Sequence, residues 1–263
     1  MSRGLRDLAV LLALSLVVLG VAGPARGAAS SNSLTLRAAG SNGAAVTGSG
    51  HFAVGGDTAV SIAVARVSGG NAKVVAGPDS STRAVEFPAY VTSGTYPRAV
   101  VRVTPTSGGG LSPGAANFEY GAVFRLNATS SGRSIDNGDN LFQRGLYQDR
   151  AQFKLQIDRG YPSCLVRGSA GRVYASSRTK VTPNKWYRAT CSRVGAKVTV
   201  KVVAHGSTAA PASTVVNGSS GTLVFPASQP AAIGGKVTAS GAVATSATDQ
   251  FNGAVANVWV NRL

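Results

Sequence analysis

"WYRATCSRVGAKVTVKV", residues 186–202, alternates side chains of opposite character on either side of a single glycine. Trp186, Arg188 and Thr190 fall on one face of an extended chain, and Tyr187, Ala189 and Cys191 fall on the other. After Arg193-Val194-Gly195-Ala196 the alternation resumes, with Val198, Val200 and Val202 opposite Lys197, Thr199 and Lys201. A period of two over segments of this length marks half-buried strands, and a short joint containing glycine between two such runs marks a hairpin.

The same period recurs upstream. Phe118, Tyr120, Ala122, Phe124 and Leu126 oppose Glu119, Gly121, Val123 and Arg125, while Phe153, Leu155 and Ile157 oppose Lys154, Gln156 and Asp158. Turn clusters separate the runs: Ser107-Gly108-Gly109-Gly110, Ser130-Ser131-Gly132, Asn137-Gly138, the stretch 168–171 and Asn217-Gly218-Ser219. No long amphipathic helix with capping residues interrupts them, which argues against α/β architectures. The expected fold is all-β, an antiparallel β-sandwich. In residues 251–263 both alternating sets are apolar, Phe251, Val255 and Trp259 against Val258 and Val260, so this strand is expected at the centre of a sheet with both faces covered. Trp259 and Trp186 read first as core residues, with a sugar-stacking platform as the alternative.

The start of the chain indicates the compartment. Arg3 and Arg6 precede an apolar run, Leu8 to Val21, followed by Pro24, Ala25 and Gly27. This is the layout of a secretory signal peptide over residues 1–27, and the run is shorter than the roughly 20 residues a membrane span needs. No later segment is apolar enough to span a bilayer, so a secreted, extracellular mature chain is expected, with residues 28–80 as N-terminal strands of the same sandwich as residues 81–263. In an oxidising compartment the two cysteines, Cys164 and Cys191, should form one disulfide. Its loop closure is worth roughly 3.5 kcal/mol in the chain-entropy model.

Composition then removes several functions. The formal net charge is +16, from 26 Lys and Arg against 10 Asp and Glu. Such a chain is drawn to acidic polysaccharides, cell-wall polymers and other anionic surfaces in a salt-dependent way, without specific nucleic-acid recognition. With only His51 and His205 and no clustered cysteines, a zinc site is not expected. Glycoside hydrolysis needs two carboxyl groups, about 5–5.5 Å apart in retaining enzymes. Here Glu86 and Glu119 lie on different expected strands, and no strand carries acids at i and i+2. A G-x-S-x-G elbow is also lacking, so a non-catalytic protein is expected.

Six pieces in order, "NLFQRG" (140–145), "FKLQID" (153–158), "SCLV" (163–166), "KWYRATCSRVGAKVTVKV" (185–202), "AAIGGK" (231–236) and "FNGAVANVWVNRL" (251–263), resemble the laminin G-like jelly roll of the concanavalin A-like lectin and glucanase superfamily. The resemblance runs from about Val85 to Leu263 and leaves the first fifty or so residues of the mature chain uncovered. It implies a jelly-roll sandwich and a binding module. Relatives often hold calcium at a sandwich edge through an aspartate, an asparagine and backbone carbonyls, which makes Asp136, Asp139 and Asn140 metal candidates. A plain turn is the other reading of that stretch, because asparagine and glycine tolerate positive φ. It is not an EF-hand, since the glycine follows the first aspartate too closely. On the last strand, where an acidic pair is common in the family, Ala256 and Asn257 stand instead.

A polar ladder of Gln143, Lys154, Gln156, Arg188, Lys197, Thr199 and Lys201, with Tyr147, Tyr161 and Tyr174 in nearby loops, is the candidate ligand surface. Sugar rings stack on aromatic side chains, and anionic groups pair with Lys and Arg. A merely solvated face is the alternative. The expected function is a lectin-like module that binds carbohydrate or an anionic cell-surface polymer. It requires no cofactor unless the Asp136–Asn140 turn holds calcium. A structural or protein-interaction role among envelope proteins is the second reading.

Overall fold

The computed structural model describes residues 33–89, 91, 96–107, 110–130 and 138–263; the leader 1–27 and Asp136 lie outside the described residues. In chain order the strands are β1 (Leu34–Ala38), β2 (Phe52–Gly55), β3 (Val60–Val67), β4 (Lys73–Ala76), β5 (Arg83–Glu86), β6 (Arg98–Pro105), β7 (Phe118–Leu126) and β8 (Asp139–Arg144). They continue as β9 (Gln152–Asp158), β10 (Tyr161–Gly168), β11 (Gly171–Ser176), β12 (Trp186–Val194), β13 (Lys197–Ala204), β14 (Ala212–Asn217), β15 (Ala231–Ile233) and β16 (Gly253–Arg262). No described helix is long and apolar enough to cross a membrane.

Two antiparallel sheets carry these strands. Sheet A runs β14-β13-β12-β7-β16-β1-β2, with β5 also paired to β16 and β4 to β5; sheet B runs β11-β10-β9-β8-β15-β6-β3. The opening hairpin is present as read: β12 and β13 pair from Tyr187↔Ala204 to Val194↔Lys197, turning at Gly195, whose φ of 55° suits glycine. β16 lies inside sheet A between β7 and β1, as its doubly apolar pattern requires. β1 and β2 extend sheet A beside it, and β3 extends sheet B beside β6.

The core lies between the sheets. Phe118, Tyr120 and Phe124 of β7 face Phe142 and Phe153 of sheet B; Tyr120 and Phe153 have centroids 5.0 Å apart and Phe142 and Phe153 5.6 Å. The Tyr120 hydroxyl crosses the core to the carbonyls of Lys154 (3.1 Å) and Leu165 (3.0 Å), and burial pushes its phenol far above the ordinary range. The expected disulfide is present and crosses between the two sheets. Cys164 is on β10 of sheet B and Cys191 on β12 of sheet A, with Cα atoms 5.6 Å apart. Stacked sheets usually lie roughly 10 Å apart, so the bridge sits where the sheets converge, the same side on which β11 approaches β13 and β14.

Two buried arginines close one end of the sandwich, beneath the loops 110–117 and 220–229. Arg144 donates to the carbonyls of Gly110 (2.7 Å), Gln229 (3.1 Å) and Pro226 (3.2 Å) and lies over the Phe225 ring. Burial lowers its pKa to about 10. Arg193 lies over Phe118 and donates to the carbonyls of Gly221 (2.7 Å), Gly114 (3.0 Å) and Ala116. Loop carbonyls that would otherwise be buried without donors thereby find them.

Candidate functional site

A cleft of about 620 Å³ opens on the outer face of sheet B. Its floor follows from the period-two pattern of β9, which turns Phe153, Leu155 and Ile157 into the core and leaves Lys154, Gln156 and Asp158 outside. Leu165 of β10 and Arg172 and Tyr174 of β11 continue that face, and the segment between β15 and β16 closes it with Lys236, Ala244 and Asp249.

The rim is the loop between β8 and β9. Gly145 starts it at φ 78°, where a Cβ would run into the Ala151 carbonyl, so the tight departure requires glycine. The Gly145 carbonyl accepts from Gln143 Nε2 (2.6 Å) and Gln152 Nε2 (3.2 Å), and Asp149 Oδ2 accepts from Leu146 N (2.7 Å) and Gln229 Nε2 (2.6 Å). The loop thus anchored presents Tyr147, 68% exposed. Arg167 lies 4.8 Å from its ring centroid and donates to its carbonyl, and Arg172 lies 6.0 Å from the centroid.

The base carries charge. Lys154 Nζ is 3.7 Å and Lys236 Nζ 2.5 Å from Asp249 Oδ2, with the two lysine side chains 12% and 18% exposed. Burial pulls the Lys154 ammonium down to about 8, opposed by the Asp249 charge. Asp249 adopts φ 46°, its Oδ1 is buried with no partner among the described residues, and its carbonyl accepts from Asn140 N (3.0 Å). Positive φ in a residue other than glycine costs of order 1–3 kcal/mol and persists where the surroundings demand it. At the other end Asp158 Oδ2 accepts from Gln156 Nε2 (2.5 Å) and the Tyr174 hydroxyl (3.0 Å). Tyr174 is raised, first by burial.

The sequence ladder is divided by the fold. Lys154, Gln156, Tyr147 and Tyr174 meet in the cleft. Gln143 is buried on the same face and accepts from Asn140 Nδ2 at 2.7 Å. Tyr161 pairs opposite Asp158 at the start of β10 and does not line the cleft. Arg188, Lys197, Thr199 and Lys201 stand on β12 and β13 of the other sheet, so they share no groove with Lys154. Alternation tells which side of its own sheet a residue faces but not which sheet the strand joins. Lys154 is also not a solvated ladder rung but part of a buried ion cluster. Trp259 is buried, yet on the outer face of sheet A over Gly121, with Arg188 4.6 Å above its ring, and not between the sheets.

Asp139 and Asn140 do not form a turn; they open β8 and are buried. The Asp139 carboxylate accepts backbone N–H groups from Asn252 and Ser130, both at 3.2 Å. Calcium takes about six to eight oxygen ligands. Both oxygens of Asp139 are thus engaged by backbone N–H groups, and no group of three or more His, Cys, Asp or Glu occurs among the described residues, which do not include Asp136.

Lys236, Asp249, Gln152 and Arg172 went unnoticed in the sequence. Lys236 and Asp249 come from a segment rich in Ala, Ser, Thr and Gly without strand periodicity, so only the fold reveals that they meet β9.

Residues 137–263 match the family model of the laminin G domain. No curated protein matches the sequence. Among solved structures, the binding domain of botulinum neurotoxin serotype D/C is similar at TM-score 0.53 and 11% identity, over 88% of this chain and 49% of that one. Domain 4 of the extracellular arabinanase AbnA of Geobacillus stearothermophilus, in complex with arabinotriose, is similar at TM-score 0.50 and 11% identity, over 77% and 82%. The enzymatically active domain of tailspike protein 2 of bacteriophage CBA120 is similar at TM-score 0.50 and 13% identity, over 76% and 28%. The chain spans about half the length of the toxin binding domains it matches. The chain is a two-sheet β-sandwich whose residues 137–263 are similar to the laminin G domain.

Proposed function

We infer that the protein is an exported, non-catalytic glycan-binding module whose site is the cleft on the outer face of sheet B. One observation carries this reading. An exposed tyrosine ring, Tyr147, is held by Arg167 and Arg172 at the rim of a cleft floored by amide, carboxylate and phenol groups. Sugars present apolar ring faces that stack on aromatic side chains, and hydroxyls that pair with amides and carboxylates. The arabinanase domain solved with arabinotriose supports the reading, because the same fold there accompanies a bound oligosaccharide. The layout of residues 1–27 and the Cys164–Cys191 bridge support export. The cleft carboxylates are committed, Asp249 to two ammonium groups and Asp158 to Gln156 and Tyr174, which speaks against the acid and nucleophile of a glycosidase.

A second reading rests on the exposed cations of sheet A, Arg188, Lys197 and Lys201, which would hold an anionic polymer by charge alone. Retention of the mature chain on neutral and acidic polysaccharides, at low and moderate salt, with calcium or with chelator, separates the two. Binding to one polymer at moderate salt that is lost in Tyr147→Ala is the expected result. Binding to every polyanion that vanishes with salt would place the partner on the basic face. Loss in chelator would assign a calcium site to Asp136, Asp139 and Asn140.

A further inference from the structure

The base of the cleft holds more positive charge than it neutralises. Lys154 and Lys236 both approach a single oxygen, Asp249 Oδ2, and among the described residues neither ammonium meets another acceptor. Each ammonium carries three N–H donors, so most of that donor capacity is unused. The charged and titratable groups facing Lys154 come from every element around it: Asp158 on its own β9, Arg172 and Tyr174 on β11, and Lys236 and Asp249 on the segment before β16. Asp158, hydrogen-bonded by the neutral Gln156 and Tyr174, keeps its charge and acts on Lys154, while Arg172 adds a further cation to the lining. Buried charge without a full set of partners is costly, and a purely structural strand would carry an apolar side chain at position 154. Across the charged lining of the cleft, Lys154, Arg172 and Lys236 stand against Asp158 and Asp249, a surplus of one positive charge, the charge that one carboxylate balances.

We propose that the cleft takes a sugar acid, a glycan residue whose carboxylate seats against the Lys154 and Lys236 ammonium groups while its ring lies along Tyr147. This rests on the reading of the cleft as a glycan site and adds the class of sugar. An incoming anion favours protonated Lys154, which burial holds near 8 in the free protein. Binding therefore takes up a proton on the alkaline side, and affinity falls as pH rises from 7 to 9.

The test is retention of the mature chain at moderate salt on polygalacturonate, on its methyl ester and on a sulfated polysaccharide, with the wild type, Lys236→Gln, Lys236→Arg and Tyr147→Ala. The acid polymer should be preferred over the ester by about tenfold, the worth of one charge-assisted contact. Lys236→Gln should abolish the preference, and Lys236→Arg should keep it. Equal binding of acid and ester, an undiminished preference in Lys236→Gln, or stronger binding of the sulfated polymer would overturn the assignment. If the ester binds in a Tyr147-dependent way and the acid binds no better, only the acid inference fails. If neither polymer is retained and Tyr147→Ala changes nothing, the glycan site itself is wrong. A thermal melt of Lys236→Gln that matches the wild type excludes misfolding as the cause of a lost preference.

Discussion

The outer faces of the two sheets use the same residue types to opposite ends. On sheet B an aromatic ring is displayed: Tyr147 is 68% exposed, and Lys154 and Lys236 are withdrawn into the floor beneath the covering segment. On sheet A the aromatic is consumed. Trp259 is 4% exposed, laid flat over Gly121, where any Cβ would enter its ring, and packed with Ala84, Val123, Ala254, Ala256 and Trp186. There the cations Arg188, Lys197 and Lys201 stay outside in water. An aromatic ring with basic residues nearby is therefore no sign of a ligand site by itself. What distinguishes the faces is which group has been taken out of water, since a withdrawn charge has lost its solvent partner and an exposed one has not.

The sharpest break of this comparison is Trp259→Ala. Removing the indole leaves a void over Gly121 that the stiff sheet cannot close, and about 3–5 kcal/mol of stability should go with it. The urea midpoint should fall, while at low temperature retention on polysaccharide stays as in the wild type. Lost retention in a folded Trp259→Ala protein would move the site to sheet A. Next in size is the double change Cys164→Ser and Cys191→Ser. Because that bridge joins β10 to β12, its loss should cost roughly 3.5 kcal/mol and loosen both faces together. The check is the denaturation midpoint with and without reductant.

Strand-level structure was legible because it is local. The period of two in β7, β9, β12 and β13 places each inward side chain correctly, and Gly195 marks the hairpin. The partition of strands between sheets was not legible, because it depends on chain crossings that leave no trace in periodicity. That is why Lys154 and Lys197 were grouped although they stand on different sheets. Half of the cleft was visible, in Lys154, Gln156, Tyr147 and Tyr174. The other half, Lys236 and Asp249, hides in an irregular segment whose placement tertiary contacts decide. The buried arginines were equally hidden, since nothing in the alternation around Arg144 and Arg193 marks a guanidinium that loop carbonyls cover.

The third test addresses the withdrawn charge. Lys154 titrates near 8 in the folded protein against an ordinary 10.5. A folded value below the unfolded one means that the unfolded chain binds the proton more tightly. The lysine therefore lowers stability by about 3 kcal/mol at pH 7, and that penalty is relieved as pH rises from 8 through 10.5. Lys154→Met should raise the melting temperature at pH 7, flatten the rise in stability above pH 8 and weaken binding of acid sugars. A drop in melting temperature would mean that Asp249 needs both lysines, and that the cluster serves the fold and not a ligand.

Tyr147→Ala comes next and separates display from packing. The ring makes no core contact, so the melting temperature should stay within the scatter of surface substitutions, about 0.5 kcal/mol, while affinity for the retained polysaccharide falls by about 1–2 kcal/mol, near tenfold. A change of melting temperature without a change of binding would put the ring in the structural role that Trp259 has.

The smallest effect is expected from the most drastic change in charge, Arg188→Glu with Lys197→Glu and Lys201→Glu on sheet A. These side chains are exposed, and salt at moderate concentration screens exposed charge within about 10 Å. Retention on polyanions at low salt should weaken, because the long-range field of a basic protein is reduced. Specific retention at moderate salt should not move, since the Lys154–Asp249–Lys236 cluster lies on the far side of the core and its interactions are sheltered from solvent. If the triple variant loses specific binding at moderate salt while Tyr147→Ala keeps it, exposure to water outweighs withdrawal from it as the mark of the site, and the roles assigned to the two faces exchange.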